Sequence, residues 1–298
     1  MNPVREKAEY FLVKGFFSVL RYCPATLIYG ACRTVAAVYQ LLAVSRRRIT
    51  MKNLRLAYPE RSAKEHRRIA RKAYDHFGQL IAESTMVLSG KITRGDLDDL
   101  VDSSDLPKLQ ALEENTEKGI LFITGHLGNF ELLAHYTGCH MKKPGTVIFR
   151  KGSNRLIDDR IVTPLRQSFG NKVIYKSRAL PLVVRTLKQG NHVGMLIDIK
   201  TNRQQGVPAV FFNKQTLAMK SSAYLQIKLG IPVVAVSMVR IAPKKYKLVA
   251  LDPIRWEDDG RSVDEQVADL TQLHHSAIET LIRQHPEQWL WMHDRWKN

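Results

Sequence analysis

The sequence predicts an α/β protein with a mostly parallel central sheet flanked by helices, preceded by a helical N-terminal region. From position 119 onward, short β-rich apolar runs alternate with helical windows of about 10–15 residues, a pattern typical of a parallel sheet covered on both faces. Before that position, apolar residues recur at helical spacing. The 298 residues can bury a substantial core. We therefore expect a helical region over residues 1–105 and an α/β domain over residues 106–298, joined as one continuous folded unit.

Two apolar segments and a basic run open the chain. The first segment has apolar residues at helical spacing between Tyr10 and Leu20, and the second runs from Leu27 to Val44. An arginine-rich run follows at positions 46–52. An apolar face beside basic residues suits a helix that lies in a membrane interface, but an amphipathic helix packed on the core has the same pattern. Charged residues interrupt both segments, so we expect no helix that crosses a bilayer.

The remaining elements follow in order along the chain. Helices are predicted at positions 63–88, 106–118, 156–169, 180–189, 218–230 and 263–284. Strands are predicted at positions 120–124, 146–149, 173–175, 192–198, 231–240 and 246–251, with a further extended segment at 207–212.

The charge balance narrows the choice of partners. The chain has 46 basic and 28 acidic residues, a net charge of +18, which implies an anionic partner such as nucleic acid, anionic lipid or an acidic carrier protein. We disfavour nucleic acid because the basic residues are dispersed and form no recognised binding module. The three cysteines have neither paired nor metal-ligand spacing, which fits a reducing compartment.

The junction after the first predicted strand is the candidate active site. An apolar run that begins at Ile120 ends in a turn containing His126, and a helical pattern resumes at Phe130. On a continuous helix His126 and Glu131 would be rotated about 140° apart, but from the turn the Glu131 carboxylate can reach the imidazole. A carboxylate on one ring nitrogen fixes the tautomer and leaves the other nitrogen free to accept a proton. The helix N-terminus could hold an oxyanion.

A second pair with the same spacing is given a structural interpretation. His274 and Glu279 also stand five residues apart, but they fall inside a long polar helical pattern without a preceding strand or glycine. We therefore predict that this pair lies on a solvated helix face.

Other polar residues stand at or after the ends of later strands. Arg150 follows one strand and Asp198 ends another, so both are expected at the same sheet edge as His126. Arg150, Lys151 and Arg155 would form a basic cluster suited to phosphate or carboxylate groups. Asp198 could equally form a structural ion pair with one of these arginines.

The absence of other motifs narrows the chemistry. No phosphate-binding glycine loop, serine-hydrolase elbow or zinc-ligand spacing occurs in the sequence,. A histidine base without a protein nucleophile most simply deprotonates a substrate hydroxyl, which then attacks an activated acyl group. These residues therefore favour an acyltransferase.

The ordered motifs resemble the bacterial late acyltransferases of lipid A biosynthesis, within the lysophospholipid acyltransferase superfamily. The similar segments are Gly-His-Leu-Gly-Asn-Phe-Glu at 125–131 (a His-x4-Glu motif), Val-Ile-Phe-Arg at 147–150, the stretch 154–170, the stretches 194–198 and 206–212, Gly-Ile-Pro-Val at 230–233, and the tail from 286 to 297. The resemblance covers nearly the whole chain. The chain departs from the usual pattern at Ile199-Lys200 after Asp198, and at Asp294.

The resemblance implies an enzyme on the cytoplasmic face of the bacterial inner membrane. It would move a fatty acyl chain from acyl carrier protein to a hydroxyl of a lipid A precursor, without a cofactor or metal. His126 would be the general base, oriented by Glu131, and the substrate-binding residues would be Asn129, Arg150, Arg166 and Asp198. The implied partners, acyl carrier protein and anionic membrane lipids, agree with the positive charge. Relatives acylate other glycolipids or lysophospholipids and can use acyl-coenzyme A, so these remain the alternative substrates.

Overall fold

A helical layer forms the N-terminal part of the protein. The computed structural model describes residues 3–149, 152–175 and 179–296. Its first four helices are α1 (Pro3–Leu20), α2 (Ala25–Leu42), α3 (Val44–Ala57) and α4 (Ala63–Leu88). Helix α4 begins with a capping box in which Ser62 and Glu65 bond each other's backbone N–H,. Helix α2 packs closely on α4 at Gly78, where a Cβ atom would lie 2.9 Å from Ala36 Cβ.

The α/β part follows the predicted alternation. Its helices are α5 (Leu97–Leu100), α6 (Leu106–Glu114), α7 (Phe130–His140), α8 (Arg155–Ile157), α9 (Thr163–Ser168), α10 (Ala179–Lys188), α11 (Ser221–Leu229) and α12 (Val263–Gln284), with 3-10 turns at Arg94–Asp96 and Pro286–Gln288 and a π turn at Asp158–Val162. The strands are β1 (Val101–Asp102), β2 (Leu121–Thr124), β3 (Gly145–Phe149), β4 (Lys172–Tyr175), β5 (His192–Leu196), β6 (Gly206–Phe211), β7 (Lys214–Met219), β8 (Val233–Ala242) and β9 (Lys245–Ala250).

The central sheet has seven strands in the order β1-β9-β8-β2-β5-β3-β4. Five neighbouring strands run parallel, and the β8–β9 hairpin reverses the direction at one edge. Successive side chains of β2 point to opposite faces of the sheet. Leu121 and Ile123 lie in the core cluster on one face, whereas Phe122 lies in the cluster on the other. Burial on both faces explains why the strands are continuous apolar runs. The predicted α/β fold with a mostly parallel sheet is confirmed.

The hairpin formed by β6 and β7 was not expected from the sequence. We predicted an extended segment at 207–212 and a helix from 218, but β7 occupies 214–219 and α11 begins only at Ser221. The turn has φ values of 52° at Phe212 and 58° at Asn213. Such two-residue turns usually contain glycine. Here Phe212 is fully buried against Trp289 and Trp291, so tertiary packing holds a turn that lacks the usual sequence signal.

The outer side of α1 and α2 is apolar and exposed. Phe11, Leu12 and Phe16 of α1 and Leu41 and Leu42 of α2 are each more than half exposed. Over the described residues, α2 is the one helix long and apolar enough to cross a bilayer, with a mean hydropathy of 1.2. This criterion concerns length and composition alone, so the expectation that no helix crosses a bilayer stays a prediction. Helix α2 fits a membrane-associating region.

The second histidine–glutamate pair does not lie on a solvated face. His274 is fully buried in α12, where its ring nitrogens bond Ser222 Oγ at 2.9 Å and Gln226 Oε1 at 2.8 Å. Glu279 accepts a hydrogen bond from the backbone N–H of Phe212. The prediction of solvent exposure was wrong because α12 packs directly on α11 and the β6–β7 hairpin. Both residues make structural contacts.

Candidate active site

The turn after β2 is held rigidly by backbone contacts. Gly128 has a φ of +60°, and a Cβ atom there would lie 2.1 Å from the carbonyl oxygen of Met238, so only glycine fits without a shift of the backbone. The backbone N–H of Gly128 donates to the carbonyl of Gln288 at 3.0 Å, and that of Asn129 donates to Met238 at 2.7 Å. These bonds fix the segment that carries His126.

Asp198 is the carboxylate that holds the His126 ring. It follows β5, the neighbour of β2, and its Oδ1 lies 2.9 Å from His126 Nδ1. Its Oδ2 accepts from the backbone N–H of His126 at 2.7 Å and from Trp289 Nε1 at 2.8 Å. The alternative ion pair of Asp198 with an arginine is not formed by Arg155 or Arg166, which pair with Asp159 and Glu131, and Arg150 lies outside the described residues. Because Asp198 is only 1% exposed, the carboxylate is fixed by three donors rather than by water.

Glu131 makes a different contact from the predicted one. It lies in the first turn of α7 and accepts hydrogen bonds from Arg166 Nη2 at 3.1 Å and 3.4 Å. The Arg166 guanidinium stacks 3.1 Å from the centre of the Phe149 ring. The predicted hydrogen bond from Glu131 to the imidazole is thus wrong in this structure, because the adjacent strand brings Asp198 to Nδ1 and α9 brings Arg166 to Glu131.

The electrostatics of His126 reflect two opposing effects. Burial favours the neutral imidazole, but the nearby Asp198 carboxylate, with a smaller contribution from Glu131, outweighs it and raises the pKa of His126 above its ordinary value,. Burial opposes ionisation of Asp198, yet its bonds to His126 and Trp289 hold the pKa of that carboxyl below its ordinary range. The side chain of His126 is 23% exposed, and no described residue bonds its Nε2. Among the described residues, the imidazole therefore has one bonded nitrogen, Nδ1, and one without a partner, Nε2.

Asn129 is buried and joins the site to the N-terminal helices. Its side-chain oxygen caps α7 by accepting from Leu132 N at 2.9 Å, and its amide donates to Glu83 Oε2 at 2.8 Å. Glu83, on α4, also accepts from Arg240 Nη2 at 2.9 Å and from Tyr29 OH at 2.9 Å. These contacts make Asn129 a positioning residue, and its expected role in substrate binding stays a prediction.

Of the predicted basic residues, the structure brings only Arg166 to the described part of the site. Arg166 lies beside Glu131, as described above, whereas Arg150 and Lys151 lie outside the described residues. Arg155 pairs with Asp159 on the exposed surface. Two of the three residues of the predicted basic cluster thus lie outside the described residues, and the cluster stays a prediction.

Sequence reasoning missed three residues that hold the site. Trp289 belongs to the aromatic tail, which was matched to a family but given no role. His76 and Glu83 lie in the α4 pattern, where His76 Nε2 bonds the carbonyl of Gly128 at 3.1 Å. Nothing local in the sequence distinguishes them from ordinary helix residues, because their partners lie 46–52 positions away.

A cavity of about 580 Å³ begins beside Glu131 and Arg166. Its apolar wall comes from α2, α4, α7 and the helical segment 155–168, and it includes Ala25, Met86, Val87, Leu88, Leu132, Val162 and Leu165. Lys91, Lys244 and Arg21 add basic groups. Within residues 3–149, 152–175 and 179–296, no cluster of three or more His, Cys, Asp or Glu side chains could hold a metal ion.

A mostly parallel α/β sheet with the Asp198–His126 pair at its carboxyl edge, beside a cavity lined by Asn129 and Glu131, is an arrangement typical of an enzyme,. Comparison with known proteins gives the family. The family model described as bacterial lipid A biosynthesis acyltransferase matches residues 3–298, and the chain belongs to this family of acyltransferases. It is 26% identical over 253 residues to the lipid A biosynthesis palmitoleoyltransferase of Escherichia coli K12, covering 85% of this chain and 79% of that protein. It is 24% identical over 261 residues to the lauroyltransferase of the same organism, with the same coverage.

Proposed function

We propose that the protein transfers a fatty acyl chain from the thioester of acyl carrier protein to a hydroxyl of a lipid A precursor. Membership of the acyltransferase family supports acyl transfer, and the names of the two relatives point to lipid A. The observation that carries the mechanism is the His126 imidazole, whose Nδ1 is held by Asp198 while no described residue bonds its Nε2. That is the arrangement required of a general base.

His126 Nε2 takes the proton of the acceptor hydroxyl as its oxygen attacks the thioester carbonyl. A C–O bond forms, the tetrahedral intermediate collapses, the C–S bond breaks, and the imidazolium returns the proton to the departing thiolate. Asp198 stabilises the imidazolium and keeps the ring in one orientation, as the carboxylate of other histidine-based sites does. The backbone N–H groups in the first turn of α7 are the candidates for holding the oxyanion.

Glu131 and Arg166 act as a pair on the cavity side of the imidazole. Glu131 holds one guanidinium nitrogen of Arg166, and Phe149 supports its flat face. The remaining donors of this fixed guanidinium can bind an oxygen of a phosphate or of the acyl group. In this proposal the negative charge of Glu131 helps to raise the pKa of His126. Glu131 also orients Arg166 toward the substrate.

The position of the cavity supports a lipid substrate taken from a membrane surface. The cavity is bounded by Arg21 and Ala25, where α1 passes into α2, and these are the helices with the exposed apolar face. A hydrocarbon chain could therefore pass from the membrane into the apolar cavity without crossing water. We place the enzyme on the cytoplasmic face of the bacterial inner membrane, where its acidic protein donor is found.

A transfer assay with His126→Gln tests the proposal. Purified protein receives a labelled acyl chain on acyl carrier protein, with a lipid A precursor as acceptor and a lysophospholipid as comparison. We expect label on the lipid A precursor, and a loss of roughly 10²–10⁴-fold in rate when the base is removed. His140→Gln is the matched control, because His140 is a partly exposed histidine whose described ion pair is with Asp98. Near-normal transfer by His126→Gln would disprove the mechanism, and label on the lysophospholipid alone would disprove the acceptor.

A further inference from the structure

Half of the net positive charge lies on one helical hairpin outside the site, a clustering that the expectation of dispersed basic residues missed. Positions 44–74 contain eleven basic residues and two acidic ones, so this stretch of α3 and α4 contributes +9 of the net +18. Nine of the basic side chains are exposed. One of them, Arg46, bonds the carbonyl of Met292. The other eight form what we call the basic ledge: Arg48, Lys52 and Arg55 of α3 and Lys64, Arg67, Arg68, Arg71 and Lys72 of α4.

The basic side chains of the ledge are almost free of internal partners. Lys52 lies 3.7 Å from Asp294, and no other ledge side chain has an ion pair within 4.0 Å in the part of the chain that the structure describes. Like charges packed at this density repel each other, which destabilises the free protein. An external anionic partner would relieve that repulsion.

The α4 residues of the ledge lie on the part of that helix that extends beyond the end of α2. Helix α2 runs antiparallel to α4, because Tyr29 meets Glu83 and Tyr39 meets Tyr74. Helix α2 covers the face of α4 that carries Gly78. Arg71 and Arg67 lie seven and eleven residues before Gly78, so their side chains point within about 20° of that same face of the helix. Since α2 ends at Leu42, that face is uncovered before residue 74. It is set back from the outer side of α2 by about 8–10 Å, one helix spacing.

The ledge differs in character from the apolar outer side of α1 and α2. Between Val44 and Ile81, a fully described stretch, no large apolar side chain is exposed. Binding to a bilayer interface uses apolar insertion together with basic residues, whereas a purely charged, recessed surface suits electrostatic steering of an acidic protein. The observations therefore favour a protein partner over a lipid surface.

The ledge also connects directly to the segments that frame His126. Asn53 of α3 donates to the carbonyls of Trp291 and His293 at 2.9 Å and 2.8 Å. On α4, Lys72 precedes His76 by one helical turn, and His76 bonds Gly128. A protein bound on the ledge would lie beside the turn that carries the catalytic base.

We propose that the basic ledge of α3 and α4 is the docking surface for the acidic carrier protein that delivers the acyl chain. This inference rests on the proposed function for the identity of the donor. Acidic helices of the carrier would face the ledge, and its acyl-bearing arm would extend along α4 toward His126 Nε2.

Charge reversal on the ledge tests the inference. In Arg67→Glu/Arg71→Glu we expect the Kd for a bacterial acyl carrier protein, measured by calorimetry at low salt, to rise by roughly tenfold or more, because each lost attraction becomes a repulsion. The KM for the acylated carrier should rise in parallel. The matched control is Arg185→Glu/Lys188→Glu on α10, which changes the net charge equally at two exposed positions and should leave both constants within about twofold. Binding to vesicles of phosphatidylglycerol should be the same in both variants.

The outcomes separate the ledge from the proposed function. An unchanged Kd for the carrier in the ledge variant overturns the inference, even if acyl transfer is normal. Loss of vesicle binding with an unchanged Kd assigns the ledge to the membrane and also overturns it. If no acyl transfer occurs but the carrier binds through the ledge, the docking surface stands and the proposed reaction fails.

Discussion

At the scale of single residues, the site depends on which carboxylate meets which nitrogen. His126 faces two acidic side chains, and only Asp198 bonds its ring, while Glu131 binds Arg166. A carboxylate on Nδ1 makes Nε2 more basic and keeps its lone pair available for a proton. The two acids therefore make separate contacts: Asp198 holds the imidazole, and Glu131 holds the guanidinium of Arg166 beside it.

The pH profile of Asp198→Asn tests that division. Asp198 raises the pKa of His126 against the effect of burial, so removing its charge should lower that pKa and move the acid limb of kcat/KM to lower pH. The rate at the plateau should fall by about 10²-fold or more, because the neutral amide no longer stabilises the imidazolium. The pH dependence of kcat/KM with saturating acceptor measures both effects. An acid limb that stays in place would show that Asp198 is not coupled to the base.

The sequence singled out His126 as the candidate base and paired it with Glu131, whereas Asp198 bonds its ring in the structure. The strand–turn–glycine context of His126 is local and readable, and Glu131 is the nearest carboxylate along the chain. Asp198 lies 72 positions away and reaches the imidazole only because β5 pairs with β2. Strand order is a property of the whole sheet, so spacing in the sequence could not decide between the two acids.

At the scale of elements, α4 links the N-terminal helices to the turn that carries His126. Glu83 binds Tyr29 of α2, Arg240 of β8 and the cap residue Asn129 of α7. Four elements thus meet at one carboxylate that is 4% exposed. A buried charge bound by donors from three residues fixes the relative positions of these elements. A movement of α2 would therefore shift the start of α7.

Removal of the buried charge tests the importance of this junction. Glu83→Leu leaves the Arg240 guanidinium buried without its counterion and should lower the free energy of unfolding by about 3–5 kcal/mol. The double variant Glu83→Leu/Arg240→Leu removes both charges and should be more stable than Glu83→Leu alone. Denaturant unfolding of the three proteins measures this. Glu114→Leu, which breaks the exposed pair with Lys142, is the control and should change stability by less than about 1 kcal/mol. A double variant less stable than the single one would contradict the argument.

The elements with strong local signals were predicted closely. Helices α4 and α12 both begin with a Ser-x-x-Glu capping box, and both were predicted with the bounds that the structure has. The β6–β7 hairpin was missed because its turn, Phe212-Asn213, has no glycine and is stabilised by aromatic residues more than 70 positions away. Local chemistry fixes helix ends, whereas this turn depends on the completed core.

At the scale of the whole molecule, the buried histidines make the stability of the folded state depend on pH. Burial lowers the pKa of His76, His135 and His275 to about 4 and that of His274 to about 3. All four are therefore neutral in the folded protein near pH 6. In the unfolded chain their pKa returns to about 6.5, so the unfolded state binds more protons below that pH.

The stability of the protein should accordingly fall as the medium becomes acidic, starting near pH 6.5. For a lowered histidine pKa the stability is fully present above the unfolded pKa and is lost as pH falls toward the folded one, by about 1.4 kcal/mol per pH unit for each group. Denaturant unfolding between pH 7.5 and 5 measures the slope. His274→Gln should be less stable than the wild type at pH 7.5, because the contacts with Ser222 and Gln226 are disturbed. Unfolding of this variant takes up one proton fewer, so the slope of its stability against pH should be smaller by about 1.4 kcal/mol per pH unit. The two stability curves should therefore converge as pH falls. Parallel curves would mean that His274 does not contribute to the acid sensitivity of the fold.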